Sequence, residues 1–330
     1  MFKSCRAALF LIACVALLPL DAAAWDRGSV DQFAVLPAGA ANPEGITVDK
    51  HGDVYVTTFA VTGTPPGKLF VFGSDGNLKR QLDVAGSSNL LLGVAFHPQT
   101  DDLLVIDFGG ARVLSVNPNT GASSVFTQVA GGAGLNALAL DAAGNVYISD
   151  SFQGIVWRTG RKGGAPVAWA SDPLLTTSGF PPFGANGMDF NSDESALFVA
   201  NTGNDTVVRI PVTAGAPGTP VVFVNSINGA DGLFVDEKDN VWICANQADE
   251  IVVVDKTGKA IAKLGDFGGV QNGAPVGLLF PASLARSGDS IYITNLSLDL
   301  RLFGLPQSVD GQWAAQVTRH TISRIRARIP

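Results

Sequence analysis

Short stretches of alternating apolar and polar residues recur along the chain, each followed by a polar turn and a second alternating stretch. Alternation with a period of two is typical of strands that bury one face, and turns containing Gly, Asn or Asp connect such strands into β-hairpins. Each second stretch has an aromatic residue or a leucine near its middle. Six copies occur, at residues 46–56, 94–105, 138–148, 188–199, 233–243 and 283–293.

Two further strand patterns follow most of these hairpins, for example residues 68–72 with 78–84 and residues 251–255 with 260–264. Four strands repeated six times predict an all-β fold, the six-bladed β-propeller, in which radial packing leaves few unpaired sheet edges. Residues 30–36 and 321–329 are expected to close the last blade, with an N-terminal strand beside a C-terminal one. We therefore predict a single propeller domain over residues 25–330.

The N-terminus has a different pattern. Lys3 and Arg6 precede an apolar run over residues 7–20, and small residues follow. This arrangement predicts a signal peptide over residues 1–24 and a secreted or periplasmic protein. Cys14 also ends a lipoprotein-like sequence, but the apolar run continues beyond it, which favours a soluble product over a lipid-anchored one. No other stretch is long and apolar enough to suggest a membrane span.

Charge and cysteine content narrow the function classes. Without residues 1–24 the chain keeps 20 basic and 28 acidic residues, a net charge of −8. Such a balance argues against nucleic acid and anionic membranes as partners and leaves a small molecule as the expected one. Cys244 is the one cysteine outside the predicted signal peptide, so the exported chain is expected to have no internal disulfide. The sequence leaves the oligomeric state open.

Polar residues occupy equivalent positions where the predicted innermost strands begin. Five positions before the first residue of each hairpin turn lie Glu44, Leu92, Asn136, Asn186, Asp231 and Pro281. The innermost strands of a propeller all begin at the same end of the central channel, so these six side chains are expected to form a ring. One Asn-Gly or Asp-Gly pair alone is typical of a turn. Four oxygen donors in equivalent positions instead indicate a binding site.

This ring has the composition of a site for a hard cation. Two buried carboxylates that face each other, Glu44 and Asp231, need a cation or a shared proton. Oxygen ligands without His or Cys suit Ca²⁺ or another hard divalent ion. The sequence therefore predicts a metal site formed by Glu44, Asn136, Asn186 and Asp231.

The segments that carry these residues resemble the senescence marker protein/gluconolactonase/luciferin-regenerating enzyme-like family, which consists of six-bladed calcium-dependent propellers. The resemblance extends over essentially the whole exported chain. The segments that carry it are Pro43-Glu44-Gly45, Asn136 with the five residues after it, Asn186-Gly187 with Asn201-Thr202, and Asp231-Gly232.

The resemblance implies a metal-dependent hydrolase of lactones or related esters. It places the metal ligands of the family on Glu44, Asn136, Asn186 and Asp231. It also implies that Asp231 is the catalytic carboxylate, as general base or as nucleophile, and that Glu44 mainly anchors the ion. The sequence by itself does not separate the roles of the two carboxylates.

The predicted loops at the channel mouth add substrate contacts. Polar residues follow the second strand of five blades, and we expect them mostly to be solvated: Asp107, Asp150, Asn201, Asn246 and Asn295. Insertions at residues 60–67, 172–185 and 296–317 resemble lids, and their apolar side chains suggest a substrate less polar than a sugar lactone. His51 and His97 are expected to be solvated at the opposite face, so a histidine base is not expected.

Two other interpretations remain. One is a non-catalytic exported propeller that binds a ligand or a protein. The other is a metal-free propeller related to strictosidine synthase, which the complete set of four oxygen donors disfavours. Stoichiometric Ca²⁺ binding would distinguish the hydrolase from both.

Overall fold

The computed structural model describes residues 25–305 and 310–330, so the predicted signal peptide and lipoprotein sequence lie outside the described residues. The first part of the chain forms a short strand and three complete sheets. These strands are β1 (Asp31–Val35), β2 (Asn42–Val48), β3 (Val54–Phe59), β4 (Lys68–Phe72), β5 (Leu78–Asp83), β6 (Leu91–Phe96), β7 (Leu103–Asp107), β8 (Arg112–Val116), β9 (Ser123–Gln128), β10 (Leu135–Leu140), β11 (Val146–Asp150), β12 (Ile155–Gly160) and β13 (Gly163–Ser171).

The second part forms three more sheets and a small extra hairpin. Its strands are β14 (Ala185–Phe190), β15 (Ala196–Asn201), β16 (Thr206–Thr213), β17 (Ala216–Pro217), β18 (Val221–Asn225), β19 (Ala230–Val235), β20 (Val241–Ala245), β21 (Glu250–Val254), β22 (Ala260–Leu264), β23 (Phe267–Gln271), β24 (Ala274–Gly277), β25 (Pro281–Ser287), β26 (Ser290–Asn295) and β27 (Thr321–Arg326). The helical segments are 3-10 turns at Pro173–Leu175 and Leu300–Phe303 and the α-helix α1 at Gly311–Ala314.

These strands make the six-bladed propeller that the sequence predicts. Blades one to three are β2–β5, β6–β9 and β10–β13, and blade five is β19–β22. Blade four contains β14, β15, β16 and β18, with β17 paired to the end of β16. The innermost strands β2, β6, β10, β14, β19 and β25 contact each other in that order, and β25 contacts β2 to complete the ring.

The last blade is closed by the two ends of the chain, as predicted. Its strand order is β1-β27-β26-β25, and β1 pairs antiparallel with β27. The Leu36 amide donates to the His320 carbonyl at 2.9 Å, which extends this pairing by one residue. The hairpin β23–β24 lies between blades five and six in sequence and is an addition that the repeat pattern did not predict.

The turn of the repeated hairpin explains why an aromatic residue recurs in it. In blade one, Asp49 Oδ1 accepts hydrogen bonds from the amides of His51 and Asp53, and its Oδ2 accepts one from the Tyr55 hydroxyl. Asp141 with Tyr147 and Asp236 with Trp242 repeat the arrangement in blades three and five. The aromatic side chain thus satisfies the turn carboxylate while its ring packs between blades.

The core lies between neighbouring blades. One buried cluster joins Leu69 and Val71 of blade one to Leu91 and Leu103 of blade two, and similar clusters fill the other spaces between blades. Full burial of each such aliphatic side chain contributes roughly 1.5–3 kcal/mol. Cys244 is buried within blade five.

The prediction for the histidines of the opposite face is half correct. His51 is exposed, as expected, but His97 is completely buried. The ring of His97 bonds through Nε2 to the Gly144 carbonyl of the next blade at 3.0 Å and through Nδ1 to the Gln99 amide at 3.2 Å. His97 therefore joins blades two and three and is not a solvated turn residue.

Candidate functional site

Every innermost strand contains the same β-bulge close to its start. In blade one the pairing passes from Pro43–Thr58 to Ile46–Val56, so β2 advances three residues while β3 advances two. The shift repeats in the other five blades, after Leu91, Leu135, Ala185, Ala230 and Pro281. A bulge of this kind redirects a side chain out of the regular alternation. It follows the first residue of the innermost strand in five blades and the second residue, Pro43, in blade one.

The residues directly after these paired positions are the ring that the sequence predicts, with one correction. Five of the predicted residues stand in register: Glu44, Leu92, Asn136, Asn186 and Asp231. In blade six the equivalent residue is Ala282 and not Pro281, which is paired with Asn295. In blade six Arg286 is paired with Ile291 and does not begin the turn, so counting back five residues from it passes the equivalent position by one residue.

Glycine follows several ring residues because the next blade approaches closely there. A Cβ atom at Gly187 would lie 2.5 Å from the Asp231 carbonyl oxygen, and one at Gly232 would lie 2.5 Å from the Ala282 carbonyl oxygen. Such contacts are sterically excluded, so these positions require glycine for close packing of neighbouring backbones. The Asn-Gly and Asp-Gly pairs are therefore parts of bulged strands and not turns.

The structure brings the four predicted oxygen donors together. Glu44, Asn136, Asn186 and Asp231 line one cavity of about 50 Å³ at the channel, and each is 5% exposed. They come from four different blades, so the closed ring is what positions them.

Hydroxyl groups orient the two amides. Asn136 Nδ2 donates to Ser151 Oγ at 3.3 Å, and that hydroxyl donates to the Ala185 carbonyl at 2.7 Å. Asn186 Nδ2 donates to Thr202 Oγ1 at 2.9 Å, and Thr202 donates to the Ala230 carbonyl at 2.8 Å. Each amide nitrogen is occupied in this way, which leaves the amide oxygen as the group available to a ligand.

The two carboxylates differ in their surroundings. Asp231 Oδ2 accepts a hydrogen bond from Asn246 Nδ2 at 2.7 Å, and Asn246 Oδ1 in turn accepts one from Gln247 Nε2. Glu44 Oε2 is buried and has no hydrogen-bond partner among the described residues. A buried carboxylate oxygen without a partner is costly, so Glu44 is the side chain of this group that most needs a ligand.

Electrostatics lead to the same conclusion. Burial, together with the charge of Asp231, raises the pKa of Glu44 well above its usual value. Burial raises the pKa of Asp231 to about 7, although hydrogen bonds from Asn246 and Asn186 oppose the shift. Two carboxylates whose charged forms are disfavoured by burial are stabilised when a cation lies between them.

The donor set fits a hard divalent cation. Carboxylate and amide oxygens are the ligands that Ca²⁺ prefers, and two negative charges balance the ion. Across residues 25–305 and 310–330, no group of three or more His, Cys, Asp or Glu side chains could hold a metal. A metal site in this channel would combine Glu44 and Asp231 with the amide oxygens of Asn136 and Asn186.

Sequence reasoning did not identify the hydroxyls of Ser151 and Thr202, which orient the two amides, as functional groups. Ser151 and Thr202 each directly follow the residue that pairs at the start of the innermost strand, and Asn246 stands at the same position in blade five. The repeat alignment could have identified them, because they recur at a fixed distance after the hairpin turns.

The prediction that the polar loop residues are solvated is wrong. Asp107, Asp150, Asn201, Asn246 and Asn295 are all at most 1% exposed. Asp150, for example, accepts hydrogen bonds from the amides of Gly134, Phe152 and Gln153 and from the Trp157 indole. These side chains satisfy buried loop backbone, and Asn246 alone among the five touches a predicted ligand.

The predicted lid insertions divide between two cavities. Pro181 and Phe183 from the second insertion and Leu296, Leu298 and Leu300 from the third line the channel cavity. Residues 60–67 instead line a separate cavity of about 520 Å³, together with Leu302 and His320. Burial lowers the pKa of His320 to about 4.

The described part of the chain contains no helix long and apolar enough to cross a membrane.

The fold and site together define a six-bladed propeller with a buried, oxygen-lined channel site. The chain belongs to the SMP-30/Gluconolactonase/LRE-like family, whose sequence profile matches residues 92–265, just over half of its length. A comparison with curated proteins finds no match.

Solved structures share the fold at low sequence identity. A luciferin-regenerating enzyme has a TM-score of 0.65 at 16% identity, covering 90% of this chain and 95% of its own. A gluconolactonase from Xanthomonas campestris has a TM-score of 0.62 at 14% identity, covering 90% of this chain and 89% of its own. A calcium-binding protein, regucalcin, from Agrobacterium tumefaciens has a TM-score of 0.62 at 15% identity, covering 90% and 97%.

Proposed function

We propose that this protein is a metal-dependent hydrolase of lactones or related esters, with Ca²⁺ or another hard divalent cation held by Glu44, Asn136, Asn186 and Asp231. The observation that carries the proposal is the convergence of these four oxygen donors, from four blades, in one buried cavity. Family membership gives independent support for lactonase-type chemistry.

A cation bound at this site would polarise the substrate carbonyl and stabilise the negative charge that develops on its oxygen. Asp231 is the proposed catalytic carboxylate. Asn246 holds its Oδ2 atom, which leaves Oδ1 to take a proton from an attacking water or to attack the carbonyl itself. The C–O bond of the lactone ring then breaks. As general base, Asp231 gives the proton that it took from water to the departing alkoxide. As nucleophile, it forms an acyl anhydride, the alkoxide takes a proton from water, and the hydroxide so formed hydrolyses the anhydride and releases the acid.

Glu44 and the amides have positioning roles in this proposal. Glu44 has no hydrogen-bond donor on Oε2 in the described chain, so its function is to balance the charge of the ion. Ser151 and Thr202 keep the oxygens of Asn136 and Asn186 directed into the cavity.

The test is turnover of aldonolactones, alkyl lactones and aryl esters by the exported chain, with EDTA and then with Ca²⁺ restored. We expect metal-dependent turnover that Asp231→Asn abolishes. Asp205→Asn is a matched control. Asp205 follows β15 in blade four, next to the blade of Asp231, and accepts its hydrogen bond from the Gly229 amide. Tight Ca²⁺ binding without turnover of any substrate would instead support a non-catalytic binding propeller.

We also propose that the protein is exported, since residues 1–24 have the charge and apolar pattern of a signal peptide. Sequencing the N-terminus of the protein recovered from the periplasm or medium should show a start at Trp25. A mature protein that begins at Cys14 would indicate lipid anchoring.

A further inference from the structure

The channel mouth has a polar half and an apolar half. Blades three, four and five form the polar half, and blades one, two and six form the apolar half. The residues that follow the paired position on the second strand occupy equivalent positions in the six blades. In blades three, four and five they are polar, and in blades one, two and six they are Phe59, Phe108 and Leu296. The ligand ring itself has Leu92 and Ala282 in blades two and six.

A row of four phenylalanines runs beside this cavity, and its two end members, Phe59 and Phe183, both line it. The rings of Phe59 and Phe108 lie 5.9 Å apart, those of Phe108 and Phe152 lie 5.7 Å apart, and those of Phe152 and Phe183 lie 5.7 Å apart. The first member, Phe59, is 7% exposed and lines the cavity, whereas Phe152 is 52% exposed. The row therefore connects the ligand ring to the surface.

Leucines extend this apolar lining. Leu296, Leu298 and Leu300 line the cavity beside Phe280 and belong to the same buried cluster as Phe59 and Leu92. Apolar side chains that line most of a cavity are typical of ligand contacts.

The cavity offers little to the hydroxyl groups of a sugar. Among the described residues that line it, the polar ones are the four proposed ligands, Thr202 and Asn246. The Thr202 hydroxyl is already used by Asn186 and the Ala230 carbonyl, and the Asn246 amide by Asp231 and Gln247. A polyol bound here would lose its hydrogen bonds to water without replacement, which disfavours it strongly.

We propose that this site takes a lactone or ester whose non-reacting part is hydrocarbon, an alkyl chain or aryl ring, and that it discriminates against sugar lactones. The inference rests on the proposed function for the chemistry but on the lining side chains for the substrate class. The cavity of about 50 Å³ is too small for an alkyl chain, so the hydrocarbon would extend past the lining phenylalanines toward the exposed ring of Phe152.

The experiment compares kcat/KM for δ-lactones with increasing alkyl chains and for glucono-δ-lactone, which shares the ring. We expect kcat/KM to rise by about fourfold per methylene over the first few carbons, because a buried methylene is worth about 0.8 kcal/mol. Phe152→Ser should flatten this dependence. Val125→Ser is the matched control, since Val125 is equally exposed at 52% but lies on the outer strand of blade two, and it should leave the dependence intact.

Failure of this inference is distinguishable from failure of the proposed function. Preference for glucono-δ-lactone, with turnover still sensitive to EDTA and Asp231→Asn, would overturn the substrate class and leave the hydrolase standing. If no lactone is hydrolysed, titration calorimetry with an alkyl δ-lactam tests the site directly. Binding that strengthens with chain length and weakens in Phe152→Ser supports the apolar site, and absence of binding overturns it.

Discussion

At the scale of single residues, Glu44 is the side chain whose energetics depend most on a ligand. Burial and the charge of Asp231 raise its pKa, so in the ion-free protein its ionised form opposes folding. Because folding raises the pKa of Glu44, the stability that this side chain contributes at acid pH is lost as the pH rises. Glu44→Gln should therefore stabilise the ion-free protein at pH 8, by about 1–3 kcal/mol, while removing its response to Ca²⁺.

Thermal melting of both proteins in EDTA and in Ca²⁺ measures this. A Glu44→Gln protein that melts lower than the parent in EDTA, or that still gains stability from Ca²⁺, would contradict the role assigned to Glu44. Asp205→Asn, outside the cavity, controls for the loss of one surface charge.

Asp249 provides a second residue-scale prediction, independent of any ion in the channel. Burial and the neighbouring Asp310 raise the pKa of Asp249 to about 8, although the Phe280 amide donates to its Oδ1 at 2.7 Å. The stability that Asp249 contributes is fully present below the pKa that this carboxyl has in the unfolded chain. It is lost as the pH rises through about 8, its pKa in the folded protein. Each unit by which folding raises a pKa corresponds to about 1.4 kcal/mol at high pH.

Asp249→Asn keeps the acceptor for the Phe280 amide and removes the charge, so it should melt above the parent protein at pH 8.5 and match it near pH 4. Melting temperatures across this range in EDTA test it. A difference that does not change with pH, or an equal gain in Asp205→Asn, would show that charge at Asp249 is not the cause.

At the scale of elements, the hydroxyl bridges connect one blade to the next. Thr202 follows β15 of blade four, accepts a hydrogen bond from the proposed ligand Asn186 and donates one to the carbonyl of Ala230, just before Asp231 in blade five. Thr202→Val removes both bonds at nearly constant volume, so we expect Ca²⁺ affinity to fall by about 10–100-fold with the fold retained. Calcium titration calorimetry measures this, and Thr202→Ser, which keeps the hydroxyl, should stay close to the parent. An equal loss in both variants would point to packing.

The hairpin repeat carries enough information to predict the elements and most of the ring. Strand pairs recur because alternation and turn chemistry are local, and five ring residues follow from a constant spacing. The position in blade six was wrong because Arg286 is paired within the strand and does not begin the turn, and a spacing rule cannot detect that. His97 and the polar loop residues were assigned to solvent because their partners, such as the Gly144 carbonyl, lie in other blades or loops that local sequence does not identify.

At the scale of the whole molecule, the propeller depends on the pairing of its two ends. β1 supplies Ala34, buried against the first and last blades, and Phe33, whose ring lies 4.5 Å from that of Tyr292. A chain that begins at residue 37 should lose this strand and expose the edge of β27, and thus unfold at clearly lower urea concentration than a chain that begins at residue 30. Equal midpoints for the two chains would show that closure by β1 contributes little.

The proposed ion would restrain the same ring from its centre. Glu44, Asn136, Asn186 and Asp231 belong to blades one, three, four and five, so a cation that binds all four couples strands far apart in sequence. A ligand that binds only the folded state stabilises it by about 2.7 kcal/mol at one hundred times its dissociation constant. We therefore expect the melting temperature of the parent protein to rise with Ca²⁺ concentration and to fall on chelation. Mg²⁺ should have a smaller effect, since it requires stricter octahedral geometry. A melting temperature insensitive to Ca²⁺ and EDTA would mean that the two carboxylates are stabilised by a shared proton, and the hydrolase would then have to act without a metal.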